Sequence, residues 1–595
     1  MLSFHPPLRD IAFVMHELLD ADALIGALPG GDAWDRATIA QTLEAAGRFA
    51  VQELLPLNAT GDREGCACSA DGVRLPSGFA DTYRRYVEAG WPTLGCVGRL
   101  GGQGAPSIVQ MAMFELFNGA NPAWSMIPGA VRGAYRLLLA HGSAEQQAHY
   151  LTRIVSGEWT ATMAITEPHC GSDLSLIRTR AEAAADGSFR IHGAKLFITG
   201  GDHDMAPNIV HLVLARLPDA PPGVAGISLF LVPKFLSEGN GLAATRNGMH
   251  ATAVEHKMGL NGSPTCAMSF EGSTGWLVGQ PNEGLRNMFV MINSARVAIG
   301  AQVAGMGQAA FDSSLAYARE RLQMRAASGT RRPDLVADPI AVHADVRRML
   351  LTQRAHVEAA RMFVSWMALE LDCEAAHPDA ARRREAADTV ALLTPVCKAF
   401  LAENGTTVAQ LAIQVYGGHG YVRDNGVEQI VRDVRVAQIY DGTTAIQARD
   451  LLGRKILPDG GRALGRYVAT VRAEAGAGMA PEFAAPLNAL CDEVERLTAV
   501  VAEAASGNAD VVGAIGCDYL RVIGHLVCGQ LFARAATRAR RQIDAGTTDP
   551  FYAAKCATAR FYFARLLPEA HHHAALARTG VAGLSMECDG AQLFA

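Results

Sequence analysis

Three short stretches and one helical run of this chain gather residue types that can do chemistry. The densest reads Tyr416-Gly417-Gly418-His419-Gly420-Tyr421, then Arg432-Asp433, then Gln438-Ile439-Tyr440-Asp441-Gly442-Thr443-Thr444. Its last part sets a carboxylate, Asp441, in a tight turn, and Thr443 opens the next helix with anion-favouring N–H groups beside it. A carboxylate moved out of water has a raised pKa and becomes a competent base for a weakly acidic proton. The second stretch is Ala164-Ile165-Thr166-Glu167-Pro168-His169-Cys170-Gly171-Ser172-Asp173. There a strand ends at Thr166, and a loop with Gly171 and Ser172 offers backbone N–H groups and hydroxyls without bulk. The third, Lys195-Leu196-Phe197-Ile198-Thr199-Gly200-Gly201, is another strand end carrying an aromatic and a hydroxyl. The helical run 292–325 holds Arg296 and Arg321, whose rigid guanidinium forks suit phosphate.

The elements that must position these residues follow from hydrophobic periodicity. Apolar residues recur at three- and four-residue spacing over 36–54 and 107–118, which predicts helices. From Trp159 the pattern changes to short apolar runs at 160–166, 189–199, 209–215, 226–232 and 265–270, separated by turn clusters. From Gly284 it returns to long helices at 284–324, 339–371, 385–414 and 443–456, and an Ala-rich helical stretch then continues to about 580. The organisation expected is four domains: helical 1–158, β 159–280, a helical bundle 281–457, and further helices 458–595.

Composition narrows the function classes. A chain of 595 residues exceeds a single core. Its 49% hydrophobic and 19% charged residues are ordinary for a globular protein, and a net charge of -6 argues against broad nucleic-acid binding. The cluster Arg534, Arg538, Arg540 and Arg541 reads as a solvated or salt-bridged face, and His571-His572-His573 as an exposed run. The twelve cysteines form no paired CxxC sets, so no metal is expected, His250 and His256 included. The absence of a signal-peptide layout and of a charge-free apolar run of about 18 residues leads us to expect a cytoplasmic protein without a membrane span.

Taken in order, the segments resemble the acyl-CoA dehydrogenase family, flavoproteins that desaturate acyl thioesters, from about residue 80 to 580. Arg216 to Pro233, Glu255 to Cys266 and Thr548 to Tyr562 are similar to its longer subfamily, which includes enzymes acting on 3-methylthiopropionyl-CoA. The resemblance implies an α+β fold: an N-terminal helical domain, a middle β-barrel or sandwich, a helical bundle, and an extra C-terminal helical domain. It also implies FAD as cofactor, with Ile165, Thr166, Phe197, Thr199 and Thr443 at the flavin. Arg321, Gln414, Gly417 and Gly418 would reach the flavin pyrophosphate of a neighbouring subunit, and Gly171, Ser172 and Arg296 would face the substrate.

By the same resemblance Asp441 takes the α-proton of an acyl thioester, on CoA or a carrier protein, and flavin takes the β-hydride. Electrons then pass to an electron-transfer flavoprotein, and the extra helices point to a homodimer. The family usually carries Glu where this chain has Asp441, a side chain shorter by one C–C bond, about 1.5 Å. The alternatives are a flavin oxidase or atypical flavin reaction on a small acidic substrate, and a non-catalytic flavoprotein with a binding role.

Overall fold

The structure, a computed structural model, describes residues 2–238 and 241–582. The chain forms two compact units, one of Ala37–Ala298 and one of Met1–Arg36 with Ile299–Ala595.

Within Ala37–Ala298 the main sheet has seven strands: β1 Trp159–Ala164, β2 Arg180–Ala183, β3 Phe189–Thr199, β4 Asn208–Arg216, β5 Ile227–Pro233, β6 Met249–Val254 and β7 Thr265–Leu277. Strand β7 pairs with both β3 and β5, β3 with β2, β2 with β4 at Arg180 and Arg216, and β4 with β5. These pairings close a ring of five strands, where the sequence led us to expect a barrel or a sandwich. Strand β1 joins β4 in parallel, and β6 extends the sheet beyond β7.

The apolar run of β4, Ile209 to Ala215, broken only by the buried His211, follows from burial on both faces. One face packs inside the barrel, where Val213 meets Ile191, Ile198, Phe230, Met268 and Phe270. The other packs Val210, Leu212 and Leu214 on Leu137, Leu138, Tyr150 and Trp159 beneath the helices. Strands β2 and β6 escape prediction. The first is only four residues long, and the second is an edge with exposed His250, whose register shifts between Ala251 and Ala253.

The second unit is built from long helices, among them Ala344–Ala376, Ala380–Tyr416, Pro481–Gly507 and Asp510–Asp544. Helices Gly284–Glu320 and Asp510–Asp544 are long and apolar enough to cross a membrane, but their most apolar windows are largely buried within the fold. Inside this unit Asp10 pairs with Arg361 and Lys555, and Lys555 also pairs with Glu358 at 3.1 Å, tying the first helix to the last ones.

The helix boundaries differ from expectation by a few residues, most tellingly at the two that flank one loop. The helix expected to reach 324 stops at Glu320, and the one expected from 339 begins at Ala344. The cause is Asp338, a buried carboxylate that accepts from the backbone N–H groups of Ala326 (2.9 Å), Arg331 (3.0 Å) and Arg332 (2.7 Å). Leu322 bridges to Pro339, so a closed loop outcompetes the helix-forming tendency of Arg321 to Met324. Arg321 therefore lies just past a helix end.

Candidate active site

In the unit Ala37–Ala298, two strand ends are locked together. The Leu196 N–H donates to the Thr166 carbonyl at 2.9 Å. The Lys195 ammonium, fully buried, donates to the Ile165 carbonyl at 3.0 Å and to Glu167 Oε1 at 2.8 Å. Glu167 also accepts from Thr179 Oγ1 (2.6 Å) and from the N–H groups of Thr179 and Arg178. Burial raises the Glu167 carboxyl, but Lys195 and these donors outweigh it and hold it below its ordinary range. Burial pulls the Lys195 ammonium down to about 8, with Glu167 opposing.

This pair fixes the loop that carries Ile165, Thr166, Gly171 and Ser172. A Cβ at Gly171 would lie 3.5 Å from the Thr166 methyl, so Gly171 and Thr166 are neighbours. Glu167, His169 and Cys170 bring possible metal-ligand atoms within 4.8 Å of one another, but both Glu167 oxygens already accept hydrogen bonds.

Phe197 sits where the β3–β7 register shifts, between the pairs Cys266–Ile198 and Met268–Lys195. The extra residue of this bulge turns its ring out of the ladder. Its backbone is left-handed (φ 60°) and its side chain is 59% exposed. A left-handed phenylalanine costs on the order of 1–3 kcal/mol, and such strain clusters at ligand sites. Thr199 ends the same strand, half-buried. Arg296 is buried on Gly284–Glu320, where its Nη1 donates to Asn293 Oδ1 at 3.3 Å.

In the helical unit the predicted residues occupy two places. At the first, Asp441 is also left-handed (φ 51°) and half-buried. Several groups outside the turn enforce this conformation. Gln447 Nε2 donates to the carbonyls of Asp441 (3.0 Å) and Gly442 (3.4 Å), and Lys398 Nζ donates to the Gly442 carbonyl at 2.7 Å. Thr443 caps helix Thr444–Arg449 by accepting from Ile446 N–H at 3.4 Å. On the other side the Tyr440 hydroxyl donates to Gln302 Oε1. Burial first, then the Asp441 carboxylate, push that hydroxyl above its ordinary pKa, so Tyr440 stays neutral.

The second place is the far end of helix Ala380–Tyr416. Tyr416 stacks on Tyr317 with centroids 4.2 Å apart, and the Tyr317 hydroxyl meets His419 Nδ1 at 2.7 Å. Around this clamp Arg321, Gln414, Gly417 and Gly418 are all exposed, and no atom lies within 4 Å of a Cβ built on either glycine. Tyr416 follows Lys398 by 18 residues (416 − 398) on one helix, a rise of about 27 Å, so this patch is well removed from Asp441.

The residue types fit a flavin. They provide a protruding aromatic face, threonine hydroxyls, glycines that leave open space, and a guanidinium for a pyrophosphate. The sequence reading missed Glu167, Lys398, Tyr440 and Gln447 as supports. For Lys398 a signal existed, a lone cation inside the apolar run Pro395 to Leu401.

Comparison with known proteins agrees along nearly the whole chain. The acyl-CoA dehydrogenase N-terminal, middle and C-terminal domain families match residues 37–158, 162–273 and 282–457, and an acetyl-CoA dehydrogenase C-terminal-like family matches 464–586. A 3-methylmercaptopropionyl-CoA dehydrogenase from Ruegeria pomeroyi is 38% identical over 97% of this chain and 99% of its own length. The broad-specificity linear acyl-CoA dehydrogenase FadE5 of Mycobacterium tuberculosis is 34% identical over 96% of each chain. The fold matches a Bacillus anthracis acyl-CoA dehydrogenase solved with FAD at a TM-score of 0.74 and 20% identity, over 96% of this chain and 92% of that one. The chain belongs to the acyl-CoA dehydrogenase family.

Proposed function

We propose that this protein is an FAD-dependent enzyme that removes hydrogen from the α,β-carbons of an acyl thioester, with Asp441 as the α-proton base. The observation that carries the reading is the turn at Asp441, a left-handed carboxylate fixed from three sides by Lys398, Gln447 and the Thr443 cap. A base held this way spends no free energy on orientation when substrate binds.

FAD, when bound, supplies the acceptor for the β-hydride. The chain's own work is to position and polarise. Asp441 Oδ accepts the α-proton, and the N–H groups beside it stabilise the charge that develops on the thioester oxygen. By the family resemblance Ile165, Thr166, Phe197, Thr199 and Thr443 would hold the flavin. Gly171 and Ser172 admit the thioester, and Arg296 faces the CoA portion. Asp reaches about 1.5 Å less far than the family's Glu. The turn that fixes Asp441 is the feature that sets its reach toward the α-carbon.

Arg321, Gln414, Gly417 and Gly418 serve the pyrophosphate of a second subunit's flavin. Their distance of about 27 Å along the helix from the Asp441 turn supports that assignment and, with it, a homodimer. Electrons leave to an electron-transfer flavoprotein, and the enzyme works in the cytoplasm, off membranes and nucleic acid. Acyl-CoA is the carrier form we favour over a carrier protein, because the relatives named above act on CoA thioesters.

Anaerobic titration of the FAD-loaded protein with a panel of acyl-CoAs tests the reading. Bleaching of the flavin with formation of the enoyl thioester is expected. No bleaching by any member, or rapid reoxidation of reduced flavin by O₂, would overturn it.

A further inference from the structure

Inside the unit Ala37–Ala298 a cavity of about 50 Å³ lies between helices Phe79–Glu88, Ser107–Ala120 and Pro122–His141. Its walls are mostly apolar, with Tyr86, Trp91, Phe114 and Phe117 among them. One cation, Arg132, enters that wall.

Among the described residues Arg132 has no carboxylate partner. Its Nη1 lies 3.9 Å from the Met111 sulfur, a weak acceptor, and its guanidinium carbon sits 5.9 Å from the Phe114 ring centre. Its Nε is buried with no hydrogen-bond partner. The charged neighbour acting on it is Arg136, of the same sign, and burial together with that repulsion pulls the guanidinium down to about 9.

A guanidinium carries five donors in a rigid fork that matches a carboxylate bidentately. Arg132 is half-buried, and leaving its buried Nε donor unmet beside apolar walls is costly. Helix Pro122–His141 could carry an apolar residue at this position at no such cost, so the cation points to a partner from outside the chain. A water occupies roughly 10–15 Å³, so the cavity holds about three to five non-hydrogen atoms, a carboxylate and one or two carbons.

We propose that this cavity is a subsite for a small carboxylate, bound on the Arg132 fork between apolar walls. The carboxylate is either the far end of an acyl substrate or a free carboxylate acting as a separate ligand. Only the first source rests on the function proposed above.

Equilibrium dialysis of the anaerobic FAD-loaded protein separates the two, because it reads binding and not turnover. One arm compares glutaryl-CoA with pentanoyl-CoA, and the other compares propionate with propionamide. A charged partner should bind at least about tenfold more tightly than its uncharged counterpart. Preference in the thioester arm assigns the acyl end, and preference for propionate assigns a separate ligand. Arg132→Met should abolish the preference, while Arg132→Lys, which keeps the charge but not the fork, should retain part of it. No preference in either arm overturns the proposal, and so does a preference that survives in Arg132→Met. If Arg132→Met does not fold, the wild-type comparison decides alone. Failure of the catalytic reading would instead show as flavin left oxidised by every thioester while propionate still binds preferentially.

Discussion

Lys398→Met separates a positioned base from a merely present one. Lys398 is fully buried, and its ammonium gives a 2.7 Å hydrogen bond to the Gly442 carbonyl, one residue past Asp441. Methionine keeps the bulk of the side chain and carries no charge. What goes is a charge-assisted hydrogen bond worth about 1.5–3 kcal/mol. The Gly442 carbonyl then retains the 3.4 Å donor from Gln447 among the bonds described above. Asp441 is held in a left-handed conformation that itself costs on the order of 1–3 kcal/mol, so the lost bond is comparable to the strain it opposes. If the carboxylate relaxes before each turnover, the rate of flavin reduction falls roughly ten- to a hundredfold. The assay is anaerobic stopped-flow reduction at saturating acyl-CoA, with flavin content measured on the same samples. Unchanged flavin occupancy and substrate affinity with a slowed reductive step is the expected pattern. A reduction rate within threefold of wild type in folded, flavin-loaded Lys398→Met would refute the argument that this bond positions the base.

Other parts of the structure give sharper or simpler tests. Phe197→Gly removes a strained backbone and an exposed ring together, so flavin affinity should fall while the flavin-free protein melts at the same temperature or higher; calorimetry of both forms checks this. Glu167→Gln leaves the buried Lys195 ammonium without its countercharge and should destabilise by about 3–5 kcal/mol; Glu167→Gln with Lys195→Met should recover much of that, and additive losses in denaturation would contradict it. Burial raises the Asp10 carboxyl, but Lys555 and Arg361 hold it down to about 2 against an ordinary 3.8. Because the folded value is the lower one, the stability it contributes, about 2 kcal/mol, is present above pH 3.8 and lost as pH falls toward 2. Thermal melts from pH 6 to 3 should therefore lose less in Asp10→Asn than in wild type.

The sequence carried the fold where local pattern and tertiary environment agree. The apolar runs at 209–215 and 226–232 become β4 and β5 because both faces are covered. The helix end at Glu320 was not legible, since the group that stops it, Asp338, lies 18 residues downstream (338 − 320) and acts through backbone amides that leave no composition signal. In the site, Asp441 and Phe197 were visible as types in a pattern, but their left-handed backbones were not, because neither is glycine. Lys195 carries no local sign of its fate in the sequence, and it is fully buried and paired with Glu167, 28 residues away (195 − 167). Partners so far apart become visible only once the two strand ends meet.

If Asp441 is the base, Asp441→Asn must stop the reductive step. The asparagine keeps the shape of the turn and cannot accept the α-proton. Mixed anaerobically with the acyl-CoA that bleaches the wild-type flavin fastest, Asp441→Asn should bind flavin and thioester yet leave the flavin oxidised, with a rate loss of at least about a thousandfold. Bleaching by Asp441→Asn at a rate near that of wild type would mean that another group is the base.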